Sequence, residues 1–198
     1  MKIISQVKAG VKDTPALLIF SYLLFVGLDL YTTYLASPDL GYEDNWIIRY
    51  FQFSFIETII LAIIFALLLS LGFVIAMNYI KKIPGIINIK VRYPVIYTIF
   101  QSKWLFLSFF VVVSFYSHFF YSAFVSCNNY LHYIYIFKIE NVFEGISSWY
   151  INKVIISFPF FFIFCHIFFI LVAILYTVSK VKRIERKILK ASPVKDSL

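Results

Sequence analysis

Four long apolar stretches are the feature that most limits what this chain can fold into. They cover residues 15–37, 52–80, 95–126 and 150–178 of the 198 residues. Each contains the roughly 20 residues that a helix needs to cross about 30 Å of hydrocarbon. No period-two alternation supports a β-barrel, so helices, which satisfy their own backbone hydrogen bonds, are expected. The sequence therefore predicts an all-α integral membrane protein, a single domain (1–198) built as a four-transmembrane-helix bundle.

Composition excludes the common soluble classes. The chain is 62% hydrophobic and 14% charged, whereas soluble domains are about half apolar and about a quarter charged. It contains no phosphate-binding loop, no HExxH and no CxxC motif. The two cysteines, Cys127 and Cys165, lie in or beside apolar stretches and do not suggest a disulfide framework. We expect no cofactor and no metal-dependent soluble chemistry.

Basic residues predict the orientation of the spans. Of the 18 Lys and Arg residues, only Arg49, Lys138 and Lys153 fall in the connections after the first and third spans. By the positive-inside rule, the N and C termini and the middle connection are cytoplasmic. The net charge of +8 is therefore not an indication of nucleic-acid binding. The basic cytoplasmic tail, residues 180–198, would lie against anionic headgroups and is interpreted mainly as a topology determinant.

Asp29 is an acid in an otherwise uncharged stretch from Pro15 to Ala36. A carboxylate in hydrocarbon is costly unless it is paired, so such residues usually face the protein interior and have a function. Asp29 lies eight residues before Ser37, or about 12 Å along a helix. The position predicts a polar site within the membrane.

Glu57 is the predicted partner of Asp29. Counted from Arg49, Glu57 lies at a depth comparable with that of Asp29; counted back from Lys81, it lies near the membrane rim. Two close carboxylates in a low dielectric cannot both ionise readily, so one would keep a proton and bond to the other. Such a pair suits a cationic amphiphile or a sterol hydroxyl. The alternative is that Asp29 joins a local network that only fixes packing, with Thr32, Thr33 or a tyrosine.

His118 and His166 form a second candidate constellation. Both fall at mid to outer depth in the third and fourth spans, where a metal or a bis-His haem can be drawn in a four-helix bundle. No ExxH motif or paired spacing supports such a site. A lone histidine in a membrane span is more often a hydrogen-bonded core residue, and this is the interpretation that we favour.

Three further expectations concern the helices and their connections. The third helix begins either at Pro94 or at Trp104, and an outer loop is expected around Asn128 and Asn129. The 35 residues from Trp46 to Ile80 are too many for one simple crossing. Part of that segment must lie in the interface, project beyond the membrane or tilt.

Three short segments of the chain resemble the EXPERA family, the four-helix group of sigma-2 receptor and emopamil-binding-type proteins. They cover the end of the first span, the start of the second and the start of the third. These are Leu28-Asp29-Leu30, Phe53-Ser54-Phe55-Ile56-Glu57 and Val91-Arg92-Tyr93-Pro94-Val95-Ile96.

The resemblance implies a function in the membrane. Asp29 and Glu57 would form the acidic pair of an intramembrane ligand pocket that accepts sterols, other lipids and cationic amphiphiles. It also implies an endoplasmic reticulum membrane and a role in sterol or lipid homeostasis. A homodimer is a possible form of the protein.

The chain also departs from the family. It lacks the His-plus-two-Glu set of the sterol isomerase branch, which argues against isomerase activity because that reaction needs a general acid and a carbocation stabiliser. The alternatives are a sterol isomerase-like enzyme, and a structural or assembly subunit of a membrane complex.

Overall fold

The computed structural model describes residues 15–40, 46–80, 99–139, 142–155 and 161–191. In this part of the chain all regular structure is helical, and no strand occurs. The elements are α1 (Pro15–Ala36), α2 (Trp46–Phe51), α3 (Phe55–Ile80), α4 (Lys103–Phe137), α5 (Glu144–Tyr150), a π-helical turn (Ile151–Ile155) and α6 (Phe161–Ala191).

Four of these helices are long and apolar enough to cross a membrane. They are α1, α3, α4 and the Ile163–Arg183 part of α6. Between 17% and 44% of the residues in their most apolar windows are buried, so most of these apolar side chains face outward, as is typical of helices that lie in lipid. The expected all-α class with four candidate spans is confirmed. The bundle arrangement and the orientation of the termini stay predictions.

The long segment before residue 80 is split into two helices. The short helix α2 ends at Phe51, and Gln52 takes a left-handed conformation with φ of 52°. The Phe53 N–H then donates to the Ile48 carbonyl at 3.1 Å, which is the six-to-one bond of a Schellman cap. A single continuous helix over Trp46–Ile80 is thereby excluded, and α3 begins at Phe55.

Helix α4 differs most from expectation. It begins at Lys103, in agreement with the second of the two predicted starts; Pro94 lies outside the described residues. The helix continues to Phe137, so the expected outer loop around Asn128 and Asn129 is wrong. The side chains of the two asparagines bond to other elements: Asn128 Oδ1 accepts from Tyr150, and the Asn129 amide donates to α1.

The end of α4 is another left-handed cap. Lys138 has φ of 51°, and the Ile139 N–H donates to the Ile134 carbonyl at 3.1 Å. This Schellman geometry is formed without glycine. A non-glycine residue in this conformation gives little sequence signal, so the helix end could not be located from composition.

Contacts divide the chain into two compact units. Among the described residues, the first comprises residues 15, 69–80, 99–116 and 170–191, and the second comprises residues 16–40, 46–68, 117–139, 142–155 and 161–169. Helices α3, α4 and α6 each contribute residues to both units. The expectation of one four-helix domain stays a prediction.

Aromatic rings form the core of the first unit. Phe73 of α3 stacks on Phe115 of α4 with centroids 4.0 Å apart, and both side chains are fully buried. Tyr116 is buried beside them and contacts the edge of each ring. Gly72 precedes Phe73, and a Cβ at Gly72 would lie 3.3 Å from a methyl group of Val111. The small residue therefore permits the close approach of α3 and α4 in this unit.

The core of the second unit is different, because small hydroxyl-bearing and amide side chains occupy many of its buried positions. Tyr22 is fully buried on α1. The buried polar residues of this unit are Thr32, Ser37, Thr58, Ser117, Ser122, Ser126, Asn128 and Ser147. Small and polar residues allow membrane helices to approach closely and to form interhelical hydrogen bonds. This unit contains the candidate site.

Candidate functional site

Polar side chains of α1 and α4 meet along one line in the second unit, which we call the polar seam. On α4 its members are spaced by four, four and three residues, so they lie on one helical face. On α1 the spacing is seven and four residues, with the same consequence. The seam consists of Tyr22, Asp29 and Thr33 on α1 and His118, Ser122, Ser126 and Asn129 on α4.

Asp29 is bound by Asn129. The Asn129 amide donates to Asp29 Oδ1 at 3.2 Å and to Thr33 Oγ1 at 2.8 Å. An amide NH₂ group carries two hydrogens, so it can serve both acceptors at once. Asp29 itself is only partly buried. Its carboxylate is thus oriented by a specific donor.

The donors behind Asn129 are aligned in one direction. The Tyr150 hydroxyl donates to Asn128 Oδ1 at 3.0 Å, and the Asn128 amide donates to Asn129 Oδ1 at 3.4 Å. Asn129 donates in turn to Asp29. Because each bond polarises the next, such a chain strengthens the final donor toward a carboxylate. The arrangement presents a polarised N–H donor to Asp29 Oδ1.

Tyr150 lies outside the candidate spans, in the last turn of α5. Burial raises the pKa of its phenol to about 12, and the Cys165 thiol adds to this effect. Tyr150 therefore remains a neutral donor at all physiological pH values. The Tyr150 hydroxyl therefore keeps its proton and remains the first donor of the chain of hydrogen bonds that leads to Asp29.

Histidine 118 forms the other end of the seam. Its Nδ1 lies 3.1 Å from the Tyr22 hydroxyl and 3.2 Å from Ser122 Oγ. The Tyr22 ring contacts the imidazole edge-on at 5.6 Å, and the Phe65 ring lies 5.0 Å from it. Two buried hydroxyls and two rings fix the orientation of this imidazole. His118 is the hydrogen-bonded core histidine that the sequence favoured.

Ser126 closes the seam between these two ends. Its hydroxyl reaches the carbonyl oxygens of Ser122 at 2.7 Å and of Phe25 at 3.2 Å. The bond to Phe25 joins α4 to the backbone of α1. A serine in this position permits close helix contact and supplies an interhelical bond.

Glu57 is used elsewhere. It lies in the first turn of α3, where its Oε2 accepts from the Ser54 N–H at 2.7 Å and from Ser54 Oγ at 2.8 Å. The Glu57 N–H donates back to Ser54 Oγ at 3.3 Å. These reciprocal bonds form a capping box. Within the described residues the Glu57 carboxylate bonds only with Ser54, and the side chain is exposed.

The structure thus puts the two predicted site residues in separate hydrogen-bond networks. Glu57 lies at the start of α3 and bonds to Ser54, whereas Asp29 lies in the polar seam and bonds to Asn129. Proton sharing between the two acids stays a prediction. The local alternative, in which Asp29 joins a network with Thr33, matches the observed contacts through Asn129.

The second predicted constellation is that of His118 and His166, and whether these two residues form a site stays a prediction. His166 is exposed and contacts the edge of the Tyr121 ring at 4.9 Å. Among the described residues, no group of three or more His, Cys, Asp or Glu side chains could hold a metal ion. The third histidine of the chain, His132, lies on α4.

Sequence reasoning missed the residues that hold Asp29. Asn128 and Asn129 were assigned to a loop, and Tyr150 to the start of a span. The periodic signal was present, since His118, Ser122 and Asn129 share one helical face once α4 is extended.

Comparisons with known proteins supply no relative for this chain: no protein-family model, no curated protein and no solved structure matches it.

Proposed function

We propose that this chain is an integral membrane protein that binds a cationic amphiphile, or a lipid with a hydroxyl group such as a sterol, at Asp29 in the polar seam. The observation that carries the proposal is the Asn129 amide held against Asp29 Oδ1 by aligned donors. The EXPERA resemblance supports the same ligand class. The endoplasmic reticulum location and the role in lipid homeostasis that it implies are part of this proposal.

The chemistry follows from a partly exposed carboxylate among apolar helices. An ammonium group that approaches Asp29 gains a charge-assisted hydrogen bond, which is stronger in a low dielectric than in water. Asn129 fixes the carboxylate before the ligand arrives, so less ordering is needed on binding. A sterol hydroxyl could donate to the same carboxylate, with a smaller gain because it carries no charge.

Aromatic side chains near the seam suit a flat hydrophobic ligand. The Phe25 and Phe119 rings meet edge-on at 5.5 Å, and Phe65 lies against His118. Ligand sites are mostly apolar and aromatic with a few placed polar groups. The seam offers this combination within one unit of the chain.

The proposed site contains one carboxylate, that of Asp29, instead of a pair of acids. Glu57 is assigned the role of helix cap because its carboxylate bonds to Ser54. Catalysis is not proposed, since an isomerase would need that carboxylate as an acid or base.

The test is thermal unfolding of the detergent-purified protein with and without a cationic sterol-like amphiphile. A ligand at a hundredfold excess over its Kd stabilises the folded state by about 2.7 kcal/mol. We expect this stabilisation for the wild type and for Glu57→Gln, and its loss for Asp29→Asn. Equal stabilisation of Asp29→Asn and wild type would contradict the proposal.

The second candidate function is structural, and a specific observation favours it. Asn129 bridges Asp29 and Thr33, so the carboxylate already takes part in a link between α1 and α4. A hydrogen-bonded link of this kind between two helices would suit a structural or assembly subunit of a membrane complex. It is favoured if no amphiphile stabilises the wild type while Asp29→Asn unfolds at a lower temperature.

A further inference from the structure

Helix α6 has two contrasting faces in the first unit. Ala173, Thr177 and Val181, spaced by four residues, are almost fully buried. At about 100° per residue, the opposite face is centred between Leu175 and Arg186. Leu175 on that face is 69% exposed, and the basic side chains beyond it are exposed.

A shallow cavity of about 470 Å³ lies on this outward face. Its described lining residues are Leu175, Val178, Ser179, Lys182, Arg183 and Arg186. They occur in a definite order along the helix: two aliphatic side chains, then a hydroxyl, then three cations. From the first to the last residue the rise is about 16 Å. The candidate span ends at Arg183, so the change from apolar to basic falls where a span would meet the headgroups.

A neighbouring cation, Lys180, is committed to a different contact. Its Nζ donates to the Tyr116 hydroxyl at 2.8 Å and lies 4.8 Å from the centre of the Tyr176 ring and 5.2 Å from that of Tyr116. This cation–π arrangement binds α6 to α4 within the first unit. It holds the helix in the rotation that turns the three other cations outward.

We propose that this cavity binds the headgroup of an anionic phospholipid. The guanidinium groups of Arg183 and Arg186, with Lys182, would contact the phosphate, since arginine matches phosphate oxygens with paired donors. The acyl chain would lie along Leu175 and Val178, and the Ser179 hydroxyl is placed at the boundary between chain and headgroup. No nucleic acid or soluble anion would use the aliphatic end of this surface.

A general attraction of basic residues to an anionic surface is the competing explanation. It depends on charge and not on the positions of the side chains. A site, in contrast, depends on the shape of the guanidinium group and on the lipid carrying both a phosphate and an acyl chain. Variants that keep charge but change shape therefore separate the two.

The experiment is a titration of the full-length protein in neutral detergent with a short-chain phosphatidylserine. The measured quantity is the rise in the unfolding temperature as the lipid binds. Each basic residue near an anionic lipid contributes a factor of about five in affinity. We expect Arg183→Gln with Arg186→Gln to weaken binding about thirtyfold. The matched control removes two exposed lysines in other connections, Lys138→Gln with Lys153→Gln, and should leave the affinity unchanged.

Three further arms make the outcome decisive. Arg183→Lys with Arg186→Lys keeps the charge, and a loss of several-fold in affinity supports a site; no loss overturns it. Phosphatidylcholine should bind far more weakly than phosphatidylserine. If inorganic phosphate or the soluble glycerophosphoserine headgroup stabilises the protein as well as the lipid does, the lipid proposal is overturned. Circular dichroism checks that each variant remains helical.

Discussion

At the scale of single residues, Ser54 and Glu57 show how one acid can be assigned two different roles. The segment Ser54-Phe55-Ile56-Glu57 has the S-x-x-E pattern of a capping box before an apolar run. The observed bonds between Ser54 and Glu57 match that pattern in both directions. The cap was therefore readable from four consecutive residues, although the family resemblance drew attention to a ligand-binding role.

This assignment predicts the effect of altering the cap. Ser54→Ala removes the hydroxyl that serves both bonds and should lower the free energy of unfolding by about 1 kcal/mol. Glu57→Ala should also destabilise α3, whereas Glu57→Gln should have little effect because glutamine can complete the box. Chemical unfolding in detergent micelles measures all three.

The control for the cap is Glu144→Ala. Glu144 lies in the first turn of α5, whose N-cap makes no side-chain hydrogen bond. This change should have a smaller effect than Glu57→Ala. If Glu57→Gln destabilises the protein as much as Glu57→Ala, the charge of Glu57 has a role beyond the cap.

Asp29 shows what single residues could not predict. An acid in an apolar span indicated a polar site, and the described contacts of Asp29 include a specific donor. The identity of that donor depends on α4 continuing past residue 126, which the sequence did not indicate. Asparagine is a poor helix former, so the pair Asn128-Asn129 by itself favours a loop. The bonds to Tyr150 and Asp29, which the sequence does not reveal, accompany the helical conformation.

At the scale of helices, glycines in α1 and α3 have opposite surroundings. A Cβ at Gly27 would meet nothing within 4 Å, whereas one at Gly72 would lie 3.3 Å from Val111. Glycine within a helix costs about 0.5–1 kcal/mol relative to alanine. Alanine in place of Gly27 would therefore remove this cost in free energy. At Gly72 the glycine allows a close contact between helices, so a larger side chain would disturb the packing.

These surroundings predict opposite effects of substitution. Gly27→Ala should raise the free energy of unfolding by about 0.5–1 kcal/mol. Gly72→Val should lower it by about 1–3 kcal/mol because the added methyl groups force α3 and α4 apart in the first unit. Reversible unfolding in detergent tests both variants under the same conditions. Stabilisation by Gly72→Val would show that the close approach of α3 to Val111 is not needed.

At the scale of the whole molecule, the number and approximate position of the spans followed from hydropathy. Apolar runs of this length are a strong signal because a helix satisfies its own backbone hydrogen bonds within one segment in hydrocarbon. The ends of the helices were less predictable, since they depend on caps such as Gln52 and Lys138 in left-handed conformations. Helices α4 and α6 are 35 and 31 residues long, more than the roughly 20 residues that a crossing requires.

The length and the flanking charges of α4 together yield a prediction about topology. At about 1.5 Å per residue, α4 is roughly 50 Å long, so its two ends should lie on opposite sides of about 30 Å of hydrocarbon. Lys103 begins this helix and Lys138 follows its end. The positive-inside rule places the Lys103 end, with most basic residues, in the cytoplasm.

Single-cysteine labelling measures this arrangement. In a background with Cys127→Ser and Cys165→Ser, an impermeant maleimide applied to sealed endoplasmic reticulum vesicles, whose cytoplasmic face is outward, should label Lys103→Cys. It should label Lys138→Cys and Lys153→Cys only after the vesicles are permeabilised. Labelling of both Lys103→Cys and Lys138→Cys without permeabilisation would mean that α4 does not cross the membrane. Labelling of Lys138→Cys alone would reverse the orientation, and the basic face of α6 would then meet the luminal leaflet instead of the anionic cytoplasmic leaflet.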